Sequence, residues 1–447
     1  MAAPALARRL GLLDVTLIVM GGIIGSGIFV NPSVVAARAG SAAGALGAWA
    51  LGGAIALAGA FVYAELGARR PEAGGQYAYL REAFHPGLAF AYAWALLLLI
   101  QTGGMAASAM TFARYARELG HVPLSEGLLS ALVLALLTLV NALGVRAGAG
   151  TQHVLMVLKI AAILTIVVAG LALVMPHAAA APGLSPSTLP PSSGPAAGFG
   201  AAMVPVLFAY GGWQTAAFLG GEVKDAAHTL PRGMVLGVVG VVLLYLAVNV
   251  ACLRVLGVAG LAATPAPAAA LMRAAFGETG ARVLAFGVAA STLGFLSQAM
   301  LTAPRVYYAM AADGLFFRGI ARVNERTHVP VRAVVLQGVA AALVALTGEY
   351  GHILDAVVSA DWIFFGLSAA CVFGLRRADL AAARPAVAGV PFHPFTTLAF
   401  IAASAWIVVQ SLAHDPKNGA IGLLLMLAAW PVFLLWRRFA PPGPSRP

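Results

Sequence analysis

Four glycines and one serine interrupt an apolar run at residues 19–32. Each glycine costs about 1 kcal/mol of helix propensity relative to alanine, so the helix is predicted to break at Gly25, Ser26 and Gly27. An unpaired backbone group in hydrocarbon costs several kcal/mol, and a break is tolerated where it lines a cavity or meets a ligand. The half-helix that begins near Ile28 would direct its free N–H groups and the positive end of its dipole at the break. That arrangement binds a carboxylate.

A second glycine-interrupted run lies at residues 208–214. If the helix ends near Gly211, the last carbonyls, those of Phe208, Ala209 and Tyr210, have no helical partner and can accept an ammonium group. A carboxylate site facing an ammonium site matches an α-amino acid, and paired broken helices are typical of the binding site of a secondary transporter. The alternative is that these glycines only permit close helix packing, as small residues do in membranes.

Lys159 lies about two turns into the fifth apolar run and is followed by unbroken apolar sequence. A buried ammonium is costly, so it must be paired or neutral, and ionisable groups inside a membrane mark ion or substrate pathways. The alternative is that the side chain snorkels to the cytoplasmic surface near Arg146.

The acidic residues in the spans are few. Glu65 and Glu222 lie near span ends, which favours an internal gate or helix-end pairing over substrate binding. Asp361 lies inside the tenth run, where it either binds a cationic ligand or forms a local helix defect. Phe208, Tyr210 and Trp213 are candidates for gating the pocket, and ordinary aromatic packing is the alternative.

The composition excludes a soluble globular domain. The chain is 61% hydrophobic and 10% charged, with a mean hydropathy of +0.90, which is typical of a polytopic membrane protein. The net charge of +11 comes from dispersed basic residues, so a nucleic-acid-binding patch is not indicated. Cys252 and Cys371 lie in apolar runs, and no metal, redox or nucleophile–base cluster suggests an enzyme or a cofactor.

Twelve apolar runs are predicted to cross the membrane as helices, because a hydrocarbon core about 30 Å thick needs about 20 residues per helix. They are residues 13–36, 42–68, 84–112, 126–144, 151–175, 198–221, 234–256, 280–311, 331–347, 351–374, 395–413 and 418–438. Residues 182–195, rich in Pro and Ser, are predicted to form an external loop. With both termini cytoplasmic, 19 of the 27 Lys and Arg residues face the cytoplasm and 7 face outward, as the positive-inside rule requires.

The chain resembles the amino acid-polyamine-organocation (APC) superfamily, and in particular a bacterial member of its L-type amino acid transporter branch. The segments that carry the resemblance are residues 22–29, 63–67, 71–79, 208–213, 230–232 and 303–314, together with Glu222. The resemblance implies an all-α polytopic membrane protein with the LeuT-like 5+5 inverted repeat. It predicts one domain over 1–447, with helices 1 and 6 broken, repeats at about 13–175 and 198–374, and peripheral helices at 395–438.

The resemblance also implies roles for individual residues. The amides of Ser26 and Gly27 would bind the substrate carboxylate, and carbonyls near Ile23, Phe208 and Ala209 would bind its amine. The full set of predicted substrate-binding residues is Ile23, Gly25, Ser26, Gly27, Phe208, Ala209, Tyr210 and Gly211.

Lys159 would stand where sodium-coupled relatives hold a sodium ion, contacting backbone near Gly22 and the hydroxyl of Ser291. It would act as an ion mimic or in proton coupling, and the predicted gate is Phe208, Trp213 and Glu65.

These observations predict a sodium-independent transporter of α-amino acids, preferably neutral ones, in a bacterial inner membrane. It would work by alternating access, either as an exchanger or as a proton-coupled symporter. The alternatives are a cationic amino acid or polyamine carrier that uses Asp361, and an amino acid sensor or channel on the same fold. Animal members of the branch join a heavy subunit through a cysteine between helices three and four. Residues 114–126 contain none, so no disulfide-linked heavy subunit is expected.

Overall fold

The computed structural model describes residues 6, 8–120, 122–173, 195–347, 353–414 and 416–439. In that part of the chain the regular elements are helices, and the only strand-like pairings are two isolated bridges, Leu10 with Val223 and Ala73 with Leu219. The α-helices are α1 (Leu12–Ile23), α2 (Gly27–Ala39), α3 (Ala42–Arg69), α4 (Gln76–Ala83), α5 (Pro86–Ala95), α6 (Gln101–Gly120), α7 (Glu126–Ala142), α8 (Val145–Val168), α9 (Pro195–Ala209), α10 (Ala226–Ala263), α11 (Pro267–Thr302), α12 (Pro304–Ala312), α13 (Val331–Thr347), α14 (Ile353–Ala381), α15 (Phe395–His414) and α16 (Pro416–Phe439). The prediction of an all-α membrane protein is confirmed.

The predicted spans correspond to these helices. Within the described residues, eight helices are long and apolar enough to cross a membrane, and the pair α1 and α2, bent by 47° at their break, forms a ninth span. At the predicted spans 126–144 and 331–347 the structure has the shorter apolar helices α7 and α13. The sixth predicted span, residues 198–221, is α9 with the 3₁₀ turns Trp213–Phe218 and Gly220–Glu222 that follow it.

Several helices are longer than hydropathy alone predicts. The predicted run 234–256 lies inside α10, Ala226–Ala263, which bends at Gly257 with φ of +65°. The predicted run 280–311 is α11 and α12, and α11 begins at Pro267 and bends at Gly277. Hydropathy detects only the part of a helix that lies in hydrocarbon, so polar end turns fall outside the predicted bounds. The predicted loop 182–195 lies outside the described residues, except for its last residue, which begins α9.

Small residues allow the helices around the first break to pack closely. Gly233 and Gly237 of α10 lie against Val15 and Val19 of α1, and a β-carbon at Gly237 would be 2.6 Å from Val19 Cγ1. Hydrocarbon tails are as apolar as the helices, so association depends on such close van der Waals contact. The contact fixes α1, the first half of the broken helix, against α10.

Gly237→Ala is expected to lower the melting temperature of the detergent-solubilised protein by several degrees. The added methyl group overpacks the contact with Val19, and overpacking costs about 1–3 kcal/mol. Gly240→Ala is the matched control, because its β-carbon would lie 3.5 Å from the flexible end of Met20, an ordinary contact. Thermal unfolding followed by fluorescence measures both variants, and equal melting temperatures would contradict the packing of α1 on α10.

Candidate functional site

A cavity of about 130 Å³ lies where the two interrupted helices meet. It is many times larger than the roughly 10–15 Å³ that a single water needs. The lining residues from the two interruptions are Gly22, Ile23, Gly25, Ser26, Gly27, Leu207, Phe208, Ala209, Gly211, Gly212, Gln214 and Thr215. Further lining comes from α6, α11 and α14, including Gln101, Ser108, Gln298, Asp361 and Trp362.

The first interruption exposes the start of a helix to this cavity. Helix α1 ends at Ile23, Ile24 is extended, and Ser26 is the N-cap of α2 without a capping bond from its side chain. A β-carbon added at Gly25 would meet nothing within 4 Å, so this glycine faces open space and does not serve helix packing. The first N–H groups of α2 and the positive end of its dipole are therefore available to an anion.

The second interruption exposes the end of a helix to the same cavity. Helix α9 ends at Ala209, and Gly212 has a φ of +107°, a left-handed conformation that favours glycine. The chain then continues as a 3₁₀ turn and not as the second half of an α-helix. The carbonyl of Phe208 accepts a hydrogen bond from Gly211 N at 3.1 Å, which leaves one lone pair of that oxygen for a ligand ammonium.

The two interruptions touch each other. A β-carbon at Gly22 would be 2.6 Å from the carbonyl oxygen of Gly212, and a β-carbon at Gly212 would overlap the Gly22 carbonyl. The same Gly212 oxygen accepts a hydrogen bond from Thr215 Oγ1 at 2.7 Å, and Gln298 of α11 donates to Thr215 Oγ1. Only glycine at positions 22 and 212 permits this approach, so these two glycines serve close packing. Gly25, by contrast, faces the cavity.

Tyr245 of α10 links the interruptions and was not predicted. Its hydroxyl is 3.1 Å from the Ile23 carbonyl and 3.4 Å from the Ala209 carbonyl. A carbonyl oxygen has two lone pairs, so each can still accept a ligand ammonium. The available sequence signal was a lone tyrosine within an apolar helix, because a buried tyrosine hydroxyl usually has a partner.

Lys159, a residue of α8, forms hydrogen bonds with the first interruption. Its side chain is fully buried, and its ammonium donates to the carbonyls of Gly21, at 3.0 Å, and Ile24. The buried position excludes snorkelling to the surface. The aliphatic stem lies against Gly294 of α11, where a β-carbon would overlap it. Within the described residues, carbonyls are its only hydrogen-bond partners.

Ser291 binds the interruption and not the lysine. Its hydroxyl donates to the Gly25 carbonyl at 3.1 Å, so α8 and α11 each satisfy carbonyls that the break in helix α1 leaves free. The predicted contact of Lys159 with backbone near Gly22 is present at Gly21, while Ser291 reaches the same segment separately.

Comparison with known proteins identifies the family of the chain. The model of the amino acid permease family matches residues 10–435. The chain belongs to this family. It is 30% identical to a serine/threonine exchanger of Bacillus subtilis (strain 168), over 96% of both chains. It is also 30% identical to the human large neutral amino acids transporter small subunit 2, over 96% of this chain and 81% of that one. A third relative, the human Asc-type amino acid transporter 1, is 28% identical over 97% of this chain and 83% of its own. The resemblance to the L-type branch of the APC superfamily is confirmed.

The predicted gating residues of this family member lie in three different environments. Phe208 lines the cavity with 38% of its surface exposed. Trp213 is buried in an aromatic cluster, 4.9 Å from Tyr63 and 5.3 Å from Phe365 between ring centroids, and is not part of the cavity lining. The aromatic-packing alternative therefore describes Trp213. Tyr210 is also buried, against Trp49 and Tyr245, and its side chain does not line the cavity.

Ion pairs gather at the end of the permease that carries its N-terminal segment. Glu65 binds Arg376 through both carboxylate oxygens at 2.7 Å and also accepts from Arg69 and from the amide of Val390. Arg69 lies one turn further along α3, while Arg376 belongs to α14 and Val390 to the segment after it, so these last two bonds fasten α3 to α14 and to that segment.

A second buried pair joins Glu222 to Arg305. The two side chains are fully buried, with oxygen–nitrogen distances of 2.6 and 3.1 Å. The Glu222 carbonyl also accepts from the amides of Arg9 and Leu10. The turn after the second interruption is thereby tied to α12 and to the N-terminal segment.

Glu222→Gln is expected to destabilise the protein by about 3–5 kcal/mol, because it leaves the Arg305 guanidinium buried without a counter-charge. The double variant Glu222→Leu with Arg305→Met is expected to recover much of that loss, since no charge then remains buried. Denaturant unfolding in detergent measures both.

Glu278→Gln is the control for removing an ion pair. It breaks the exposed pair with Arg273 and is expected to leave stability unchanged. A Glu222→Gln variant as stable as this control would contradict the buried pairing.

Proposed function

We propose that the protein is a sodium-independent secondary transporter of α-amino acids, with neutral amino acids as its substrates. The observation that carries the proposal is the contact between the two helix interruptions. It puts the amide start of α2 and the carbonyl end of α9 around one cavity. The carboxylate of an amino acid satisfies the first and its ammonium the second. The names of the relatives, a serine/threonine exchanger and a large neutral amino acids transporter, support this class of substrate.

Sodium independence rests on Lys159. Carbonyls of unwound membrane helices coordinate sodium in coupled transporters. Here the carbonyls of Gly21 and Ile24 already receive a covalently attached ammonium. A permanently charged Lys159 gives an exchanger with a fixed ion mimic, and a lysine that loses its proton during the cycle gives a proton-coupled symporter.

The transport cycle we propose is alternating access. The interrupted helices rock against a scaffold formed by the remaining helices of two inverted repeats, residues 13–175 and 198–374, with residues 395–438 peripheral. The ion pairs of Glu65 and Glu222 close one end of the path, and Phe208 gates the cavity at the other.

The setting we propose is a bacterial inner membrane with both termini in the cytoplasm, which follows from the 19 basic residues assigned to that side. Cys252 and Cys371 are buried, which supports a chain that acts without a disulfide-linked heavy subunit. The chemistry is binding and release, so we expect neither a cofactor nor catalysis.

Uptake of labelled amino acids into proteoliposomes tests the proposal with the wild type and Lys159→Ala. Each is measured with sodium or choline outside, with and without internal amino acid, and with and without an inward proton gradient. We expect saturable uptake that does not change with sodium. Dependence on internal amino acid identifies an exchanger, and gradient-driven uptake into empty vesicles that is lost in Lys159→Ala identifies a symporter.

The control for this experiment is Lys417→Ala, which removes an exposed lysine of α16. It should behave as the wild type in every condition. If uptake by the wild-type protein required sodium, the ion-mimic role of Lys159 would be contradicted. Flux that neither saturates nor shows counterflow would favour a channel, and binding without flux would favour a sensor.

A further inference from the structure

The cavity has two chemically different walls. One consists of the backbone of the two interruptions, and the other of side chains from α6 and α14. From α14 the lining residues are Val357, Val358, Asp361, Trp362 and Phe365, which fall on one face of the helix at i, i+1, i+4, i+5 and i+8. The register therefore turns the acidic residue of this helix segment toward the ligand space, and the local helix defect considered from the sequence is not needed to explain it.

Asp361 is the only ionisable side chain among the described lining residues. In the same part of the chain no cationic side chain pairs with it. Lys159 is bound to the carbonyls of Gly21 and Ile24, and Arg376 to Glu65. An acidic group inside a membrane is costly without a partner and is found facing a pathway or a ligand. We therefore expect the ligand to supply the group that pairs with the Asp361 carboxyl group.

The backbone wall is suited to the α-carboxylate and the α-ammonium of the ligand. The amides at the start of α2 and the carbonyls of Ile23 and Ala209 are suited to the carboxylate and ammonium that every α-amino acid has. The side chain of the substrate is then left to the wall that holds Asp361, Gln101 and Ser108. The same wall also holds the apolar Val357, Val358, Trp362 and Phe365, but a purely aliphatic side chain would leave its three polar groups desolvated without a partner.

We propose that Asp361 selects, through its carboxyl group, compact amino acids whose side chain carries a hydrogen-bond donor. This rests on the proposed function. The shared chemistry is an O–H or N–H that reaches the carboxyl oxygens. A hydroxyl side chain supplies it in a neutral amino acid, and a short ammonium side chain supplies it in a cationic one, an outcome that would replace the neutral class proposed above. The small cavity favours substrates of a few side-chain atoms over long ones.

Two pairs of nearly isosteric amino acids test this in the wild-type protein. Threonine and valine differ by a hydroxyl in place of a methyl group, and 2,4-diaminobutyrate and norvaline differ by an ammonium in place of a methyl group. Each is used as a competitor of saturable uptake into proteoliposomes. The donor-bearing member of at least one pair is expected to compete about tenfold better or more, the usual effect of a hydrogen bond to a charged group. The pair that shows the preference identifies the hydroxyl or the ammonium class.

Asp361→Asn tests the residue itself. The amide keeps the size and one acceptor oxygen but removes the charge, so the preference for diaminobutyrate over norvaline should fall about tenfold and the preference for threonine over valine by less. Ser359→Ala is the control on the same helix, because Ser359 bonds Ser411 at 2.8 Å, outside the cavity lining, and its ratios should equal those of the wild type.

The outcomes separate this assignment from the proposed function. Wild-type uptake that is saturable but shows no preference within either pair overturns the role of Asp361. The same is true if Asp361→Asn keeps the wild-type ratios, or changes only the response to a proton gradient. If no α-amino acid competes for or undergoes uptake, the proposed function itself fails. The wild-type pairs remain decisive if the Asp361→Asn protein does not fold.

Discussion

The structure depends on pairing the backbone groups that two helices leave free where they end inside an apolar core. Each interruption leaves backbone N–H and carbonyl groups that would cost several kcal/mol apiece if unpaired in hydrocarbon. Here the carbonyls of the first interruption are bound by the Lys159 ammonium, the Ser291 hydroxyl and the Tyr245 hydroxyl. These groups come from α8, α11 and α10. The amides at the start of α2 face the cavity, so protein groups satisfy these carbonyls and the amides are left for the ligand that we propose.

This division assigns different tasks to different parts of the cavity. Backbone groups are suited to the features common to all amino acids, because their positions do not change with side-chain substitutions. The wall formed by α6 and α14 is made of side chains, and Asp361 lies on that wall. Fixed ion pairs such as Glu222 with Arg305 lie away from the cavity and fasten the end of the molecule where the N-terminal segment meets the second interruption. In the transporter that we propose, recognition and closure therefore involve separate sets of charges.

The sequence predicted the elements whose signal is local. Glycines in an apolar run indicate an interruption, hydropathy indicates a span, and a lysine within a span indicates a buried charge. The partners of those elements depend on chain-distant contacts that no local pattern encodes. Tyr245 meets Ile23 across 222 residues, and Ser291 meets Gly25 across 266. For the same reason Tyr210 and Trp213, adjacent to the second interruption in sequence, pack away from the cavity that their neighbours line.

The central claim is that one cavity binds the carboxylate and the ammonium of the same molecule. The most direct test is competition for uptake by the preferred amino acid, by the amine that lacks its carboxylate, and by the 2-hydroxy acid that lacks its ammonium. If the paired interruptions bind both groups, each analogue should compete about a hundredfold more weakly than the amino acid, because several charge-assisted hydrogen bonds are lost. Competition by either analogue at the level of the amino acid would contradict the claim.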